Sequence, residues 1–301
     1  MSISAQKWAP DRSQGDRLAL HQWDLPEPGP DEITIAVRAV GMNRVDASNV
    51  SGGEPDIGYE VSGTIAAVGH GVRGHDVGDD VLSFRVRGGY TTAITVAARD
   101  VFTKPSSLGW AEAANLLLTG TAAAEMLYRT ELSAGDVVLV HAASGAVGIS
   151  AVQQAKLVGA RVIGTASQRN WDLLRQFGAE PVAYGPGLEQ RVRDLTDHVD
   201  ASFDAVGTDE AVDVALALVA DRRRIASSAA FDRARSDGFW IVGHETDSAA
   251  YRDRVRSHLI ELAGAGHLTV PIAKCFPFSK APDALDLVAS GHAAGKVALL
   301  V

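Results

Sequence analysis

Residues 137–148 read Val-Val-Leu-Val-His-Ala-Ala-Ser-Gly-Ala-Val-Gly and carry the most specific chemistry in the chain. Four apolar residues suited to a strand buried on both faces run into a short glycine loop. The loop runs into a segment with helical apolar spacing at Val147, Ala151, Ala155 and Val158. A turn of this form exposes backbone N–H groups, and a helix start adds partial positive charge, so the pair suits a pyrophosphate. The G-x-G-x-x-G template falls on Ala143, Gly145 and Gly148, so alanine replaces the first glycine. Gly159 ends the helix and Arg161–Gly164 reads as the next strand, which completes a βαβ unit. The loop is thus either a dinucleotide cradle or an ordinary strand-to-helix turn, and the complete unit around it favours the cradle.

The end of the second strand selects the dinucleotide. A site selective for NADH places Asp or Glu there, on the ribose 2′-hydroxyl. Here Thr165, Ala166, Ser167, Gln168, Arg169 and Asn170 include no carboxylate. Ser167 can donate a hydrogen bond, and the planar fork of Arg169 suits a 2′-phosphate. The same residues could form a polar turn with Ser167 or Asn170 capping the next helix. The missing acid and Arg169 together favour NADPH over NADH.

The elements that must hold these residues follow from the rest of the pattern. Residues 1 to about 105 are rich in short β segments, among them 33–40, 61–68, 80–84 and 90–96, punctuated by Gly69, Gly71, Gly74, Gly78, Gly88 and Gly89. This predicts a barrel-like β domain. From Trp110 the composition shifts to alanine and leucine, and 110–130 reads as helical with a break near Gly120. Four further strands are expected at 181–184, 202–206, 224–228 and 239–242, making six with the first two, the number of a full dinucleotide fold. Residues 230–238 are too polar and short to read as a helix. Strands at 271–278 and 296–301, with a helix at 282–289, are expected to rejoin the first domain. The expected division is therefore 1–112 completed by 265–301, and 113–264. The predicted class is α/β, a β-rich domain beside a six-stranded doubly wound one.

Composition narrows the function. With 301 residues and 46% hydrophobic content, the chain can bury a real core. A net charge of −9 argues against nucleic acid and anionic membranes as partners. The densest basic run, Arg222–Arg224, reads as a solvated turn before a strand. Cys275 is the single cysteine, so no intrachain disulfide can form and a reducing cytoplasm is the expected compartment. The first residues lack the apolar core of a signal peptide, and no run of about 18 apolar residues appears that would span a membrane.

Several ordered stretches carry a family resemblance: Gly-Met-Asn-Arg-Val-Asp at 41–46, Gly-Tyr-Glu-Val-Ser-Gly-Thr-Ile at 58–65, Val-Gly-Asp-Asp-Val-Leu at 77–82, Gly-Gly-Tyr at 88–90, Leu-Thr-Gly-Thr-Ala at 118–122, the 142–148 loop, and Gly295-Lys296. In this order they resemble the medium-chain dehydrogenase/reductases, in particular the zinc-independent NADPH:quinone oxidoreductase branch that includes the zeta-crystallins. The resemblance covers nearly the whole chain. It implies a GroES-like catalytic domain, a six-stranded Rossmann domain, a cofactor cleft between them and a homodimer. The zinc-dependent branch uses a cysteine within the stretch that here carries Asn43, and a Gly-His-Glu motif where this chain has Gly58, Tyr59 and Glu60. Catalytic zinc needs about three protein ligands, and the nine histidines show no ligand spacing, so no metal is expected.

Without zinc, placement of the nicotinamide against an electron-poor acceptor and a donor for the developing oxyanion can suffice. Asn43 is the first candidate through its amide, unless it only holds a turn. Tyr59 is the second through its hydroxyl, unless it is a packed aromatic. The resemblance further implies that Thr121 approaches the nicotinamide or its ribose, that Ser144, Gly145, Ala146 and Val147 face the pyrophosphate, and that Tyr184 contacts the adenosine end. Val206 and Ser227 end the fourth and fifth strands, where Rossmann ligands bind. Lys296 either reaches the cofactor cleft or is solvated. Phe239 and Trp240 could shape the nicotinamide pocket or lie at an edge strand or dimer interface. The tyrosines that line some quinone pockets are replaced by Ala47, Ser48 and Asn49, and the short 51–57 stretch predicts a wider or differently shaped substrate mouth. The expected activity is NADPH-dependent reduction of a quinone or related conjugated carbonyl. The alternatives are an enone or alkenal reductase and a non-catalytic NADPH-binding structural or sensor protein.

Overall fold

The computed structural model describes residues 3–11, 17–291, 293 and 295–301. The chain opens with β1 (Ile3–Asp11), β2 (Arg17–Leu25), β3 (Glu32–Met42), α1 (Arg44–Ser51), β4 (Glu60–Val68), β5 (Asp80–Phe84), β6 (Ala93–Ala97), β7 (Val101–Thr103) and α2 (Trp110–Ala113). A βα alternation follows: α3 (Leu117–Arg129), β8 (Val137–His141), α4 (Ala146–Val158), β9 (Arg161–Thr165), α5 (Trp171–Gln176), β10 (Ala179–Val182), α6 (Leu188–Arg193), β11 (Ala201–Asp204), α7 (Asp209–Leu218), β12 (Ile225–Ser227), α8 (Phe231–Asp237), β13 (Trp240–Ile241) and α9 (Ser248–Gly264). The chain closes with β14 (Ile272–Pro277), α10 (Ala281–Ser290) and β15 (Lys296–Leu300). Two compact units result, one of Met1–Leu118, Ala263–Ala265 and Thr269–Val301, the other of Thr119–Leu262 and Gly266–Leu268.

In the second unit six parallel strands stand in the order β10-β9-β8-β11-β12-β13. The order reverses between β8 and β11, the position where sheets of this winding bind ligands. Successive residues of β8 serve opposite faces. Val138 and Val140 pack with Ile149, Val152 and Ala155 of α4, while Val137 and Leu139 pack with Leu188, Val192 and Val212 of α6 and α7. That double burial is why the strand lacks apolar–polar alternation. Glu125 of α3 is fully buried and gathers Arg252 at 2.6 Å, Arg129 at 3.4 Å, the Gly243 N–H at 3.1 Å and the Ser248 hydroxyl. The 231–237 helix, too polar to be read from sequence, is fixed from outside. Arg233 bonds Asp237 one turn on and reaches Asp209 and Asp213 of α7 at 2.8 and 2.7 Å.

The first unit is built on a seven-stranded mixed sheet, β14-β15-β3-β4-β5-β7 with β6 also on β3. The C-terminal strand β15 runs antiparallel to β3, pairing Val297 with Met42. This places Lys296 beside the end of β3. The core gathers Ile33, Ile35, Val40, Met42, Val61, Ile65, Val81 and Tyr90 under α10 residues Leu285 and Val288. α2 and its C-cap stay with this unit, although the composition shifts at Trp110. The Ser62 hydroxyl donates to the Trp110 carbonyl at 2.7 Å, and Gly41 admits the helix end because a Cβ there would stand 1.8 Å from the Ala114 carbonyl oxygen. The antiparallel pair β1 and β2 carries no clear core pattern in sequence, since among their residues Ala5 and Leu25 alone are buried. No helix among the described residues is long and apolar enough to cross a membrane.

Candidate active site

In the second unit, β8 delivers the chain to the loop at its C-terminal end. Ala142 takes a left-handed backbone with φ 52, and the loop is pinned to the last residue of β9. The Ala142 N–H donates to the Thr165 hydroxyl at 3.0 Å, and the Ala143 N–H donates to the Thr165 carbonyl at 2.9 Å. The Gly145 N–H closes the turn on the Ala142 carbonyl at 2.9 Å, and α4 begins at Ala146.

The three template positions have three different physical reasons. At Gly148 a Cβ would stand 2.3 Å from the Ala142 carbonyl oxygen, so helix and loop could not pack. At Gly145 a Cβ would meet only that oxygen, at 3.2 Å, a tight contact that the loop could relieve by a small shift. Ala143 is fully buried, and its methyl fills the space left by Gly164 on β9, where a Cβ would stand 2.8 Å from it. The apparent defect in the motif is thus absorbed by the neighbouring strand.

Around this cradle, Ser144, Gly145, Ala146 and Val147 are all half-buried, and Asn170 donates to the Ser144 hydroxyl at 3.0 Å. The first amides of a helix lack acceptors within it, so those of Ala146 and Val147 are available to a ligand. Beyond β9, Ser167 is half-buried and Arg169 exposed. Tyr184 lies two residues past β10 and is 60% exposed. Thr121 is fully buried on α3. Val206 follows the end of β11 and is exposed. Ser227 ends β12 as expected, but its hydroxyl is spent inside the protein. It donates to Asp204 at 2.6 Å and accepts the N–H groups of Ala229 and Ala230 at 3.0 and 2.8 Å. Trp240 lies on the edge strand β13.

His141 and Asp204 were not singled out from sequence. They are register partners at the C-terminal ends of β8 and β11, where the strand order reverses. Asp204 holds the following loop by accepting the Val206 and Gly207 N–H groups, each at 2.9 Å. Burial pushes the His141 imidazole down to about 4, against the opposing pull of Asp204 and Glu210. Its Nε2 is enclosed with no hydrogen-bond partner among the described residues. The available signal was a histidine ending an apolar strand.

In the first unit, Asn43 caps α1 and is nearly fully buried. Its Nδ2 donates to Glu60 at 3.1 Å, and its Oδ1 accepts from the Lys296 ammonium. Lys296 also donates to the Met42 carbonyl at 3.1 Å and to Glu60 at 3.4 Å. It is buried, so the solvated alternative for Lys296 does not hold. The second oxygen of Glu60 accepts the N–H groups of Leu117 and Leu118 at 3.1 and 2.8 Å, at the start of α3. Burial lowers the Lys296 pKa, opposed by Glu60 and Asp46. Asp46 accepts the Asn43 N–H at 2.8 Å and the Tyr90 hydroxyl at 3.1 Å. Burial pushes its carboxyl up to about 7, against those two hydrogen bonds and the Lys296 charge.

Tyr59 differs from these neighbours because it is only half-buried. Gly58 precedes it with φ +92, and a Cβ there would collide with the Tyr90 ring at 2.6 Å. The Tyr59 carbonyl accepts the Arg85 and Val86 N–H groups at 2.9 and 3.1 Å, and its hydroxyl oxygen accepts from Asn49 Nδ2 at 2.7 Å. Its own proton is therefore directed away from Asn49. Among the described residues, no three His, Cys, Asp or Glu side chains converge as a metal-binding set.

Residues 29–127 match the family described as the alcohol dehydrogenase GroES-like domain, and residues 146–241 match the family described as zinc-binding dehydrogenase. The chain belongs to the medium-chain dehydrogenase/reductase superfamily. Within this superfamily it is 35% identical over 205 residues to a quinone oxidoreductase of Pseudomonas aeruginosa, covering 64% of this chain and 63% of that protein. It is 30% identical over 317 residues to the phthioceranic/hydroxyphthioceranic acid synthase of Mycobacterium tuberculosis, a match that takes in 96% of this chain. The chain spans only 15% of the length of that relative. The solved quinone oxidoreductase of Coxiella burnetii superposes with a TM-score of 0.83 at 25% identity, over 99% of this chain and 100% of that one. The GroES-like and Rossmann-type halves expected of the superfamily correspond to the mixed-sheet unit and the parallel-sheet unit.

Proposed function

We propose that the chain is an oxidoreductase that uses NADPH to reduce a quinone or related conjugated carbonyl without zinc. The observation that carries the reading is the β8–α4 cradle. Its helix start presents the Ala146 and Val147 amides, which have no acceptor within the helix, and the strand beside it ends without a carboxylate. Ser144, Gly145 and the amides of Ala146 and Val147 would face the pyrophosphate, with Ser167, Arg169 and Tyr184 around the adenosine 2′-phosphate. Val206 would line the path toward the nicotinamide, with Thr121 enclosed on α3. When bound, NADPH supplies the hydride. The protein's share is orientation, exclusion of water and a proton for the acceptor oxygen.

Tyr59 is the side chain we assign to that proton. Asn43 and Lys296 instead brace the interior of the first unit, since both ends of the Asn43 amide are committed to Glu60 and Lys296. Zinc does not fit this donor set. The ammonium of Lys296 already stands on the Asn43 and Glu60 oxygens, where it repels a second cation. The quinone oxidoreductase relatives support the acceptor class.

The test is NADPH consumption against a panel of quinones, enones and alkenals, with binding of both nucleotides measured for Arg169→Ala. The expected result is turnover of at least one class, and at least a tenfold loss of NADPH affinity with NADH unchanged. That loss corresponds to about 1.4 kcal/mol. Equal weakening of both nucleotides removes Arg169 from the phosphate site, and an inert panel removes the reductase.

A further inference from the structure

Asn49 lies in the last turn of α1 and donates from Nδ2 to the Tyr59 hydroxyl oxygen at 2.7 Å. A tyrosine hydroxyl can donate or accept, whereas an amide N–H can only donate. This one contact therefore decides where the Tyr59 proton points. We propose that Asn49 is a positioning residue that makes Tyr59 the proton donor to the carbonyl oxygen of the substrate, an inference that rests on the reductase reading above.

Both partners are held independently of each other. At the start of α1 the Asp46 carboxyl accepts the Asn43 N–H, and at its end the Asn49 carbonyl accepts the Glu54 N–H at 2.9 Å. Tyr59 is fixed through its own carbonyl, on the Arg85 and Val86 amides. The ring and the amide thus meet because two separate backbone anchors bring them together. The helix supplies the acceptor-filling group and the turn supplies the donor. Filling a lone pair of the hydroxyl oxygen also polarises its O–H bond, so the donor is strengthened as well as aimed.

The step balances with NADPH as the hydride source and water as the source of the returning proton. As a C–H bond of the reduced nicotinamide breaks, the hydride forms a C–H bond at the conjugated carbon, and the displaced π pair moves to the carbonyl oxygen. That oxygen takes the Tyr59 proton as the phenolic O–H breaks, and the phenolate recovers a proton from water. Asn49 forms and breaks no bond in this sequence.

The decisive variant is Asn49→Asp, nearly equal in volume but with a carboxylate that only accepts. It draws the Tyr59 proton inward while preserving a hydrogen bond between the two positions. The expected kcat loss is about a hundredfold, within the range of general acid catalysis. KM should stay within a few-fold of the parent value. Tyr59→Phe should lose as much, and the double variant no more than either single one. An Asn49→Asp protein that keeps kcat within about twofold, while Tyr59→Phe loses its hundredfold, makes the contact structural and overturns the proposal.

A second readout needs no turnover. In protein labelled at tyrosine Cζ, five resonances are expected from the five tyrosines, and Tyr59 is the one lost in Tyr59→Phe. It should move downfield in Asn49→Asp, as the hydroxyl changes from acceptor to donor. An unmoved resonance also overturns the proposal. Wild-type inactivity across the whole panel removes the donor role together with the reductase reading. A moved resonance in an inactive protein would locate that failure in the reaction rather than in the Asn49–Tyr59 contact.

Discussion

Replacing His141 with glutamine should change how stability depends on pH. The imidazole is fully enclosed at the end of β8, and burial lowers its pKa from the ordinary 6.5 to about 4. Above pH 6.5 neither the folded nor the unfolded chain protonates it, and its contribution is complete. As pH falls from 6.5 toward 4, the unfolded chain binds a proton that the folded one refuses, so stability drops. The two values give a loss of about 2 kcal/mol at pH 5 and roughly 3 kcal/mol by pH 4, after which it levels off. Asp46 acts in the opposite direction. Its folded carboxyl stays protonated up to about 7 instead of 3.8, so its contribution weakens as pH rises through that window. The wild-type curve is therefore a sum, and the difference between wild type and His141→Gln isolates the histidine. Urea unfolding of both proteins between pH 7.5 and 4.5 measures it. The variant should gain on the wild type steadily below pH 6.5. Parallel curves would mean that the imidazole protonates freely in the fold, and the argument from burial would be wrong.

Three further variants separate packing from ligand binding and test the buried ion pairs. Gly148→Ala forces a Cβ against the Ala142 carbonyl and should destabilise the fold by about 1–3 kcal/mol. Gly145→Ala should leave the thermal midpoint nearly unchanged while weakening NADPH, and a similar loss of stability in both variants would erase the distinction. Glu125→Gln leaves Arg252 facing a neutral partner in a buried cluster, while Arg129 keeps Asp247, and should cost about 3–5 kcal/mol in urea unfolding. A cost no larger than that of an ordinary surface substitution would show that water reaches the Arg252 guanidinium.

The sequence made the parallel sheet readable because each strand is short, apolar and bounded by a glycine or polar turn, and all six appear within a few residues of their expected places. The elements it hid depend on distant partners. The 231–237 helix needs Asp209 and Asp213, more than a turn away on another helix. The site divides in the same way. Gly145 and Gly148 are visible in a local motif, and the proposed role of Arg169 rests on the carboxylate missing beside it. Lys296 could not be placed, because what draws it into the interior is Glu60, which β15 approaches only through its pairing with β3. Ser227 was correctly placed at a strand end, but its commitment to Asp204 comes from a contact between strands that no local pattern records.

The methyl of Ala143 and the bare Cα of Gly164 occupy one shared volume between β8 and β9. What the fold restricts there is the total amount of side chain across the two positions, not the identity of either. Exchanging the two residues would leave that total unchanged, whereas adding a carbon at Gly164 alone overfills it. The first position of the glycine template is therefore set together with a residue on the neighbouring strand, because the volume that Gly164 leaves open is the volume that the Ala143 methyl fills.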